Sequence, residues 1–392
     1  MLKLDMKIVS SLEKCFWDEL PDQKTGVDSF TVFRNERLCF QVAYRAECDD
    51  IYIQRECVLR LGGELASYAT LRQVGNVLNM YPTYNVIPEG EFVRTQAGAY
   101  PDMIRPLVYP ERVALPNGQM HAIWVEIELP EGFAAGEYSI ELGAYVPSGC
   151  LASVSARVRV LDASLPEQTL IHTEWLHTDC IANYYHCKAF SERHWKLLES
   201  FVRVAVRNGV NMILTPVFTP EIDTYIGGER LTTQLVDMEL SDNGKYTFGF
   251  EKLDRWIDMC LSCGVKYFEI PHFFTQWGAK AAPKMIVKVG GRKKKYFGWH
   301  TDASGQEYES FLSQFIPALV AKLKSRGLEG RCFFHVSDEP RLQQLEHYLG
   351  HEHLFCIVLL SILATSSEYL LLLLGLYHFC PLSSPFSREM FP

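Results

Sequence analysis

The N-terminus lacks the apolar stretch of a secretory leader. Met1-Leu2-Lys3-Leu4-Asp5-Met6-Lys7 sets charges where a leader needs a hydrophobic run. The expectation is a protein that begins near residue 1 and stays in the cytoplasm. An excess of positive charge is also missing. With 38 Lys and Arg against 47 Asp and Glu, the formal charge is -9, which argues against nucleic acid and anionic membranes as partners of the whole chain. One basic run, Arg292-Lys293-Lys294-Lys295 after Gly290-Gly291, reads as a solvated loop tip. A disulfide framework is absent too. The twelve cysteines are scattered, several beside apolar residues, as Cys39 is beside Phe40 and Cys332 beside Phe333. That pattern fits reduced, buried thiols. Cys260-Leu261-Ser262-Cys263 has no second pair to complete a zinc site, and it reads as a helix end.

What is present is ordinary globular material. The 392 residues are 48% hydrophobic and 22% charged, enough for large cores, and the length suggests two or three domains at roughly 100–200 residues each. From about Lys7 to Ala163 the chain reads as strands, with no long amphipathic helix. Phe30-Thr31-Val32-Phe33, Leu38 to Tyr44 and Ile51-Tyr52-Ile53 are rich in β formers. Ile123 to Glu128 and Val154 to Val160 alternate apolar and polar residues. A β-sandwich over 1–163 is the simplest packing for such a region.

After Leu165-Pro166 strands alternate with helices. Strands are expected over Leu170–His177, Met212–Val217, Val265–Ile270 and Arg331–Val336. Between them come helices opening at Ser191, running from Leu253 to Cys263 before Gly264, and running from Tyr308 to Lys324. Serial β-α repeats point to a parallel sheet or barrel. The fold class is therefore multi-domain β plus α/β: a sandwich, then the first half of a (β/α)8 TIM barrel over 164–349. An atypical apolar tail follows over 350–392. A whole barrel needs roughly 250 residues, and only about half of one precedes Leu354. Leu354 to Leu363 and the five leucines from Leu370 suit a membrane anchor, a pair of core helices, or foreign sequence from an altered frame or retained intron. Glu368 sits mid-span and disfavours the anchor. The change falls inside a helix already begun at Arg341, which favours foreign sequence. Any membrane contact is confined to 354–376.

The strand ends carry the candidate chemistry. Trp175, His177 and Asp179 follow the first strand of the repeat, and Thr215, Thr219 and Asp223 the second. His272, Gln276 and Trp277 follow the third. The fourth, Phe333-Phe334-His335-Val336, runs straight into Ser337-Asp338-Glu339-Pro340. In a barrel these positions converge on one face. Carboxylates, an amide, histidines and tryptophans together suit a sugar, whose ring faces stack on indole while its hydroxyls take hydrogen bonds. Each has a plainer explanation. The tryptophans can be packing, His335 a structural histidine, and Ser337 to Pro340 a helix start. His177, His272 and His335 can also be read as metal ligands, but none of the three lies in an H-x-H or H-E-x-x-H spacing.

The run Phe333 to Pro340, with Pro271-His272-Phe273-Phe274-Thr275-Gln276-Trp277-Gly278-Ala279, resembles glycoside hydrolase family 123 and the related DUF4091 proteins. Asn208 to Asn211, Leu214-Thr215-Pro216, Pro220 to Thr224 and Glu229-Arg230 fall in the matching order. So do Arg34-Asn35-Glu36, Trp124-Val125 and Ala135 to Tyr138. The resemblance spans about residues 8–349. It implies a β-sandwich joined to a (β/α)8 barrel and the activity of a β-N-acetylgalactosaminidase, with no cofactor and no metal. The implied substrate is a glycan or glycoconjugate ending in N-acetylhexosamine. Asp338 would orient the sugar's 2-acetamido group and Glu339 would be the general acid and base. Trp175, His177, Asp223, His272, Gln276, Trp277 and His335 would contact the sugar. Strands five to eight of the family barrel have no counterpart, so poor stability and little hydrolase activity are expected. Turnover of a nitrophenyl N-acetylgalactosaminide is the check. The alternative reading is a non-catalytic carbohydrate-binding or membrane-anchored protein.

Overall fold

The computed structural model describes residues 2–49, 55–83, 92–107, 112–222, 224–276 and 278–338. Ile51 to Ile53, Asp223, Trp277, Glu339, the helix from Arg341 and the apolar tail lie outside the described residues. The chain divides into two compact units between Glu167 and Gln168.

The first unit is β-rich. Its strands are β1 (Leu2–Ser10), β2 (Ser29–Val32), β3 (Arg37–Cys48), β4 (Arg55–Gly62) and β5 (Ala69–Asn79). They continue as β6 (Gly98–Pro106), β7 (Arg112–Leu115), β8 (Met120–Glu128), β9 (Gly136–Val146) and β10 (Gly149–Val160). They form two five-stranded sheets, ordered β1-β3-β8-β5-β6 and β2-β10-β9-β4-β7. Period-two patterning decides which side is buried. In β10, Ala156, Val158 and Val160 are buried while Arg157 and Arg159 face water. One core takes Phe40, Val42, Ile123 and Val125 from the first sheet and Leu59, Ile140, Leu142 and Val158 from the second. The rings of Phe30 and Phe40 stack between them at 5.0 Å.

The second unit is mixed α/β. In order come β11 (Thr173–Glu174), α1 (Thr178–Tyr184), α2 (Glu192–Arg207), β12 (Met212–Leu214), β13 (Asp237–Leu240) and β14 (Tyr246–Gly249). Then follow α3 (Glu251–Cys263), β15 (Tyr267–Ile270), β16 (Met285–Val289), β17 (Arg292–Phe297), α4 (Gln306–Ser325) and β18 (Cys332–Phe334). A parallel sheet runs β11-β12-β15-β18. Ile213 pairs with Phe268 and Phe268 with Cys332. The expected end signals operate. Ser191 Oγ accepts from His194 N at 3.3 Å and caps α2. Gly264 closes α3 at φ 100°, and a Cβ there would meet Val206 Cγ1 at 3.2 Å, so space as well as backbone calls for glycine. Trp256, Phe268, Phe273, Phe311 and Phe315 fill the core.

The strands expected over Met212–Val217 and Arg331–Val336 are shorter, Met212–Leu214 and Cys332–Phe334, and two further expectations change. The strand over Leu170–His177 shrinks to Thr173–Glu174. The Asn211 side chain competes for its backbone, accepting from His172 N at 2.8 Å and donating to Leu170 O at 2.9 Å. The run Arg292–Lys295 is not a loop tip. Gly290-Gly291, both with positive φ, make the two-residue turn, and the basic residues begin β17. That strand is the edge of a second sheet, ordered β14-β13-β16-β17. Lysines on an edge discourage further strand pairing. Lys293 pairs with Asp237 at 3.4 Å, and Lys295 pairs with Glu229. Among the described residues, no helix is long and apolar enough to cross a membrane.

Candidate active site

The centre of the strand-end cluster is an acid inside an apolar strand. Glu269 in β15 sits between Phe268 and Ile270 and is 1% exposed. Parallel pairing sets it beside Leu214 of β12 and Phe333 of β18. Its carboxylate collects donors from both ends of the sheet. Trp175 Nε1 donates to Oε1 at 2.7 Å, His335 Nε2 lies 2.5 Å from the same oxygen, and Thr173 Oγ1 donates to Oε2. Burial alone would raise the carboxyl's pKa. The bonds from His335, Thr173 and Trp175 outweigh burial and hold it below its ordinary range.

Three aromatic rings surround this carboxylate. His272 stacks on His335 with centroids 4.5 Å apart and an interplanar angle of 26°. Trp175 meets His272 edge-on at 5.6 Å and His335 at 6.4 Å. Burial, reinforced by His335, pushes the His272 ring down to about 3, with Glu269 opposing. His272 is therefore neutral at neutral pH. The unfolded ring gains its proton as pH falls through about 6.5, the folded ring only near 3. Between those values the unfolded chain binds more protons. This contribution to stability is complete above 6.5 and is lost as pH falls toward 3, by up to about 1.4 kcal/mol per pH unit. In His272→Gln, denaturant unfolding at pH 7, 5.5 and 4 should show a flatter acid loss. An unchanged slope would contradict a buried neutral ring.

A second set of groups lies on the loop after β12. Arg230 Nε donates to Asp179 Oδ2 at 2.9 Å and Nη2 to Oδ1 at 3.0 Å, while Nη1 donates to Ile222 O at 2.7 Å. Glu221 is buried, and neither carboxyl oxygen makes a hydrogen bond of good geometry among the described residues. Burial drives its carboxyl well above the ordinary range; Asp338 adds to the rise and Arg230 opposes it. Glu221, Thr219, Thr224, Arg230, Trp299 and His300 line part of a 240 Å³ cavity.

The structure brings Trp175, His272 and His335 together, with Glu269 joining them. Asp338 is half-buried four residues past the end of β18, close enough to Glu221 to influence its charge. Gln276 is buried, and its amide donates to Thr224 O at 2.8 Å. His177 is the residue preceding α1 and makes none of the contacts to Glu269. Asp223, Trp277 and Glu339 lie outside the described residues. Among the described residues, no group of three or more His, Cys, Asp or Glu has the arrangement to hold a metal ion. Glu269 and the charge state of Glu221 escaped the sequence reading. Their signal is a lone acid in an apolar run, Tyr267-Phe268-Glu269-Ile270 and Pro220-Glu221-Ile222, which signifies nothing until neighbouring strands align.

Residues 175–355 match the glycoside hydrolase 123 catalytic domain. This stretch is similar to the catalytic domains of glycoside hydrolase family 123. The structure of a family 123 glycoside hydrolase from Clostridium perfringens, solved to detail glycolipid glycan hydrolysis, matches with a TM-score of 0.67 at 13% identity. The match covers 90% of this chain and 62% of that one, so the chain spans about 62% of that relative's length. At this identity the likeness is one of fold: a β-rich N-terminal region followed by a mixed α/β part. The N-terminal domain of PorA matches at TM-score 0.20 and 8% identity, covering 41% of this chain and all of that one. AvmM, which catalyses macrocyclisation in alchivemycin A biosynthesis, matches at 0.21 and 12%, covering 43% and 93%. Neither bears on the chemistry of the family 123 region. No curated protein matches the chain.

Proposed function

We propose that the chain is a glycosidase that removes terminal N-acetylhexosamine, of the β-N-acetylgalactosaminidase type, from a glycan or glycoconjugate. The fold that fits this reading is a β-sandwich over 1–163 followed in sequence by the first half of a (β/α)8 barrel over 164–349. The observation that carries it is the family 123 match, whose sequence contains the adjacent acids Asp338 and Glu339.

Adjacency supports the substrate-assisted mechanism. Glycosidases with two enzymatic carboxyls set them about 5–10 Å apart on opposite sides of the scissile bond, and neighbouring residues do not flank a bond that way. A 2-acetamido sugar carries its own nucleophile. Its carbonyl oxygen attacks the anomeric carbon as the glycosidic bond breaks, and Glu339 gives its proton to the departing oxygen. Asp338 accepts a hydrogen bond from the acetamide N–H and steadies the cationic ring that forms. Glu339 then removes a proton from water as the water oxygen opens that ring. Two displacements at one carbon retain its configuration. Trp175, His177, Asp223, His272, Gln276, Trp277 and His335 are the proposed sugar contacts.

Proton NMR of the first sugar released from nitrophenyl N-acetyl-β-galactosaminide tests the reading. The β-anomer should appear first and mutarotate later. Initial release of the α-anomer would overturn it.

A further inference from the structure

We propose that Glu269 is the positioning residue of this site: its buried carboxylate fixes Trp175 and His335, and through His335 the ring of His272, in the arrangement that receives the sugar. The proposal rests on the reading that these strand ends bind a sugar, and it goes beyond that reading by assigning a residue that does not touch substrate.

The geometry is that of a clamp. A carboxylate offers about four acceptor sites and no donor. Three of those sites are taken by Thr173 Oγ1, Trp175 Nε1 at 2.7 Å and His335 Nε2 at 2.5 Å. The donors lie on or next to the two outer strands of the parallel sheet, with β12 between β11 and β15. One inner side chain thus ties together residues more than 60 positions apart. Because the carboxylate only accepts, Nε2 of His335 must carry a hydrogen. The His335 ring is then held in position, and it backs His272 at 4.5 Å. No other hydrogen bond among the described residues fixes the Trp175 indole. His272 is 3% exposed and its side chain makes no hydrogen bond within the described residues. Its orientation rests on the two neighbouring rings. Fixing ring faces before binding lowers the ordering cost of recognition. The groups facing this clamp are Thr173 in β11, Trp175 just after it, His272 after β15, and His335 after β18.

The experiment compares the full chain with Glu269→Gln and Glu269→Asp. Imidazole nitrogen NMR reports the tautomer of His335 and His272 without any sugar. Calorimetry with free N-acetylgalactosamine reports affinity, and nitrophenyl glycoside kinetics separate KM from kcat. Glu269→Gln places amide hydrogens against donors. It should change the His335 tautomer signal and weaken N-acetylgalactosamine by about ten-fold, chiefly in Kd and KM. Glu269→Asp keeps the charge but draws it back by one methylene. It should keep the His335 signal close to that of the unmodified chain, with a smaller loss of affinity. It also serves as the test should Glu269→Gln not fold. Unchanged imidazole signals in folded Glu269→Gln, or unchanged affinity in either folded variant, would overturn the proposal. If the unmodified chain binds no N-acetylgalactosamine, the functional reading fails, and the sugar-free imidazole spectra still decide the clamp.

Discussion

Glu339→Gln is expected to lower kcat for a nitrophenyl N-acetyl-β-galactosaminide by about a thousand-fold relative to the unmodified chain, in line with the usual worth of a general acid. Affinity for N-acetylgalactosamine should stay within about two-fold, because the amide keeps the shape and loses only the proton. The loss should depend on the leaving group. A dinitrophenolate leaves with little protonation, so its release should recover much of the rate, whereas an alkyl aglycone should not react measurably. Asp338→Asn should behave differently and slow all leaving groups alike, because its part is in ring closure rather than proton donation. Steady-state kinetics across aryl glycosides make the comparison. Full turnover of the alkyl substrate by Glu339→Gln would remove Glu339 from the mechanism. A chain that binds the sugar and turns over nothing, with or without Glu339, would be a carbohydrate-binding protein.

Arg230→Met should produce the largest stability effect. The Arg230 and Asp179 side chains are 9% and 5% exposed. Deleting the cation leaves a carboxylate out of water without its partner, which costs about 3–5 kcal/mol. The Ile222 carbonyl also loses its donor. For a protein of this size that corresponds to about 4–6 °C in Tm, measured by thermal or denaturant unfolding. The double variant Asp179→Asn/Arg230→Met should recover part of the loss, because the uncompensated charge is then gone. A single-variant loss below about 1 kcal/mol would mean that water reaches Asp179 and screens the pair. The loop held by Arg230 also carries Glu221, so weaker sugar binding should accompany the lost stability.

The sequence was most legible where local chemistry decides structure. Ser191 and Asn208-Gly209 mark α2 because a cap and a left-handed stop act within one turn. Gly264 marks α3 in the same way, and the Val-Arg alternation of β10 marks a half-buried strand. It was least legible where tertiary partners decide. Asn211 shortens the strand before it with a side chain about 40 positions away. The sheet of β13, β14, β16 and β17 is built from strands of four to six residues, too short for a period to declare itself. The lysines of β17 therefore read as loop. Among the candidate residues, Asp338 and Glu339 stood out because adjacent acids follow an apolar run. Glu269 did not, because a single acid gains meaning only when Thr173, Trp175 and His335 are folded onto it. Glu221 resembles an ordinary loop acid until burial and Asp338 are seen to act on its proton.

The central claim is that the sugar, not the protein, supplies the nucleophile. The most direct measurement is kcat/KM for nitrophenyl β-galactosaminides whose acetamide carries zero, one, two or three fluorines. Each fluorine withdraws electron density from the carbonyl oxygen that must attack. The rate should fall steadily along the series. A rate that is flat, or that rises with fluorination, would place the nucleophile on the protein and contradict the account.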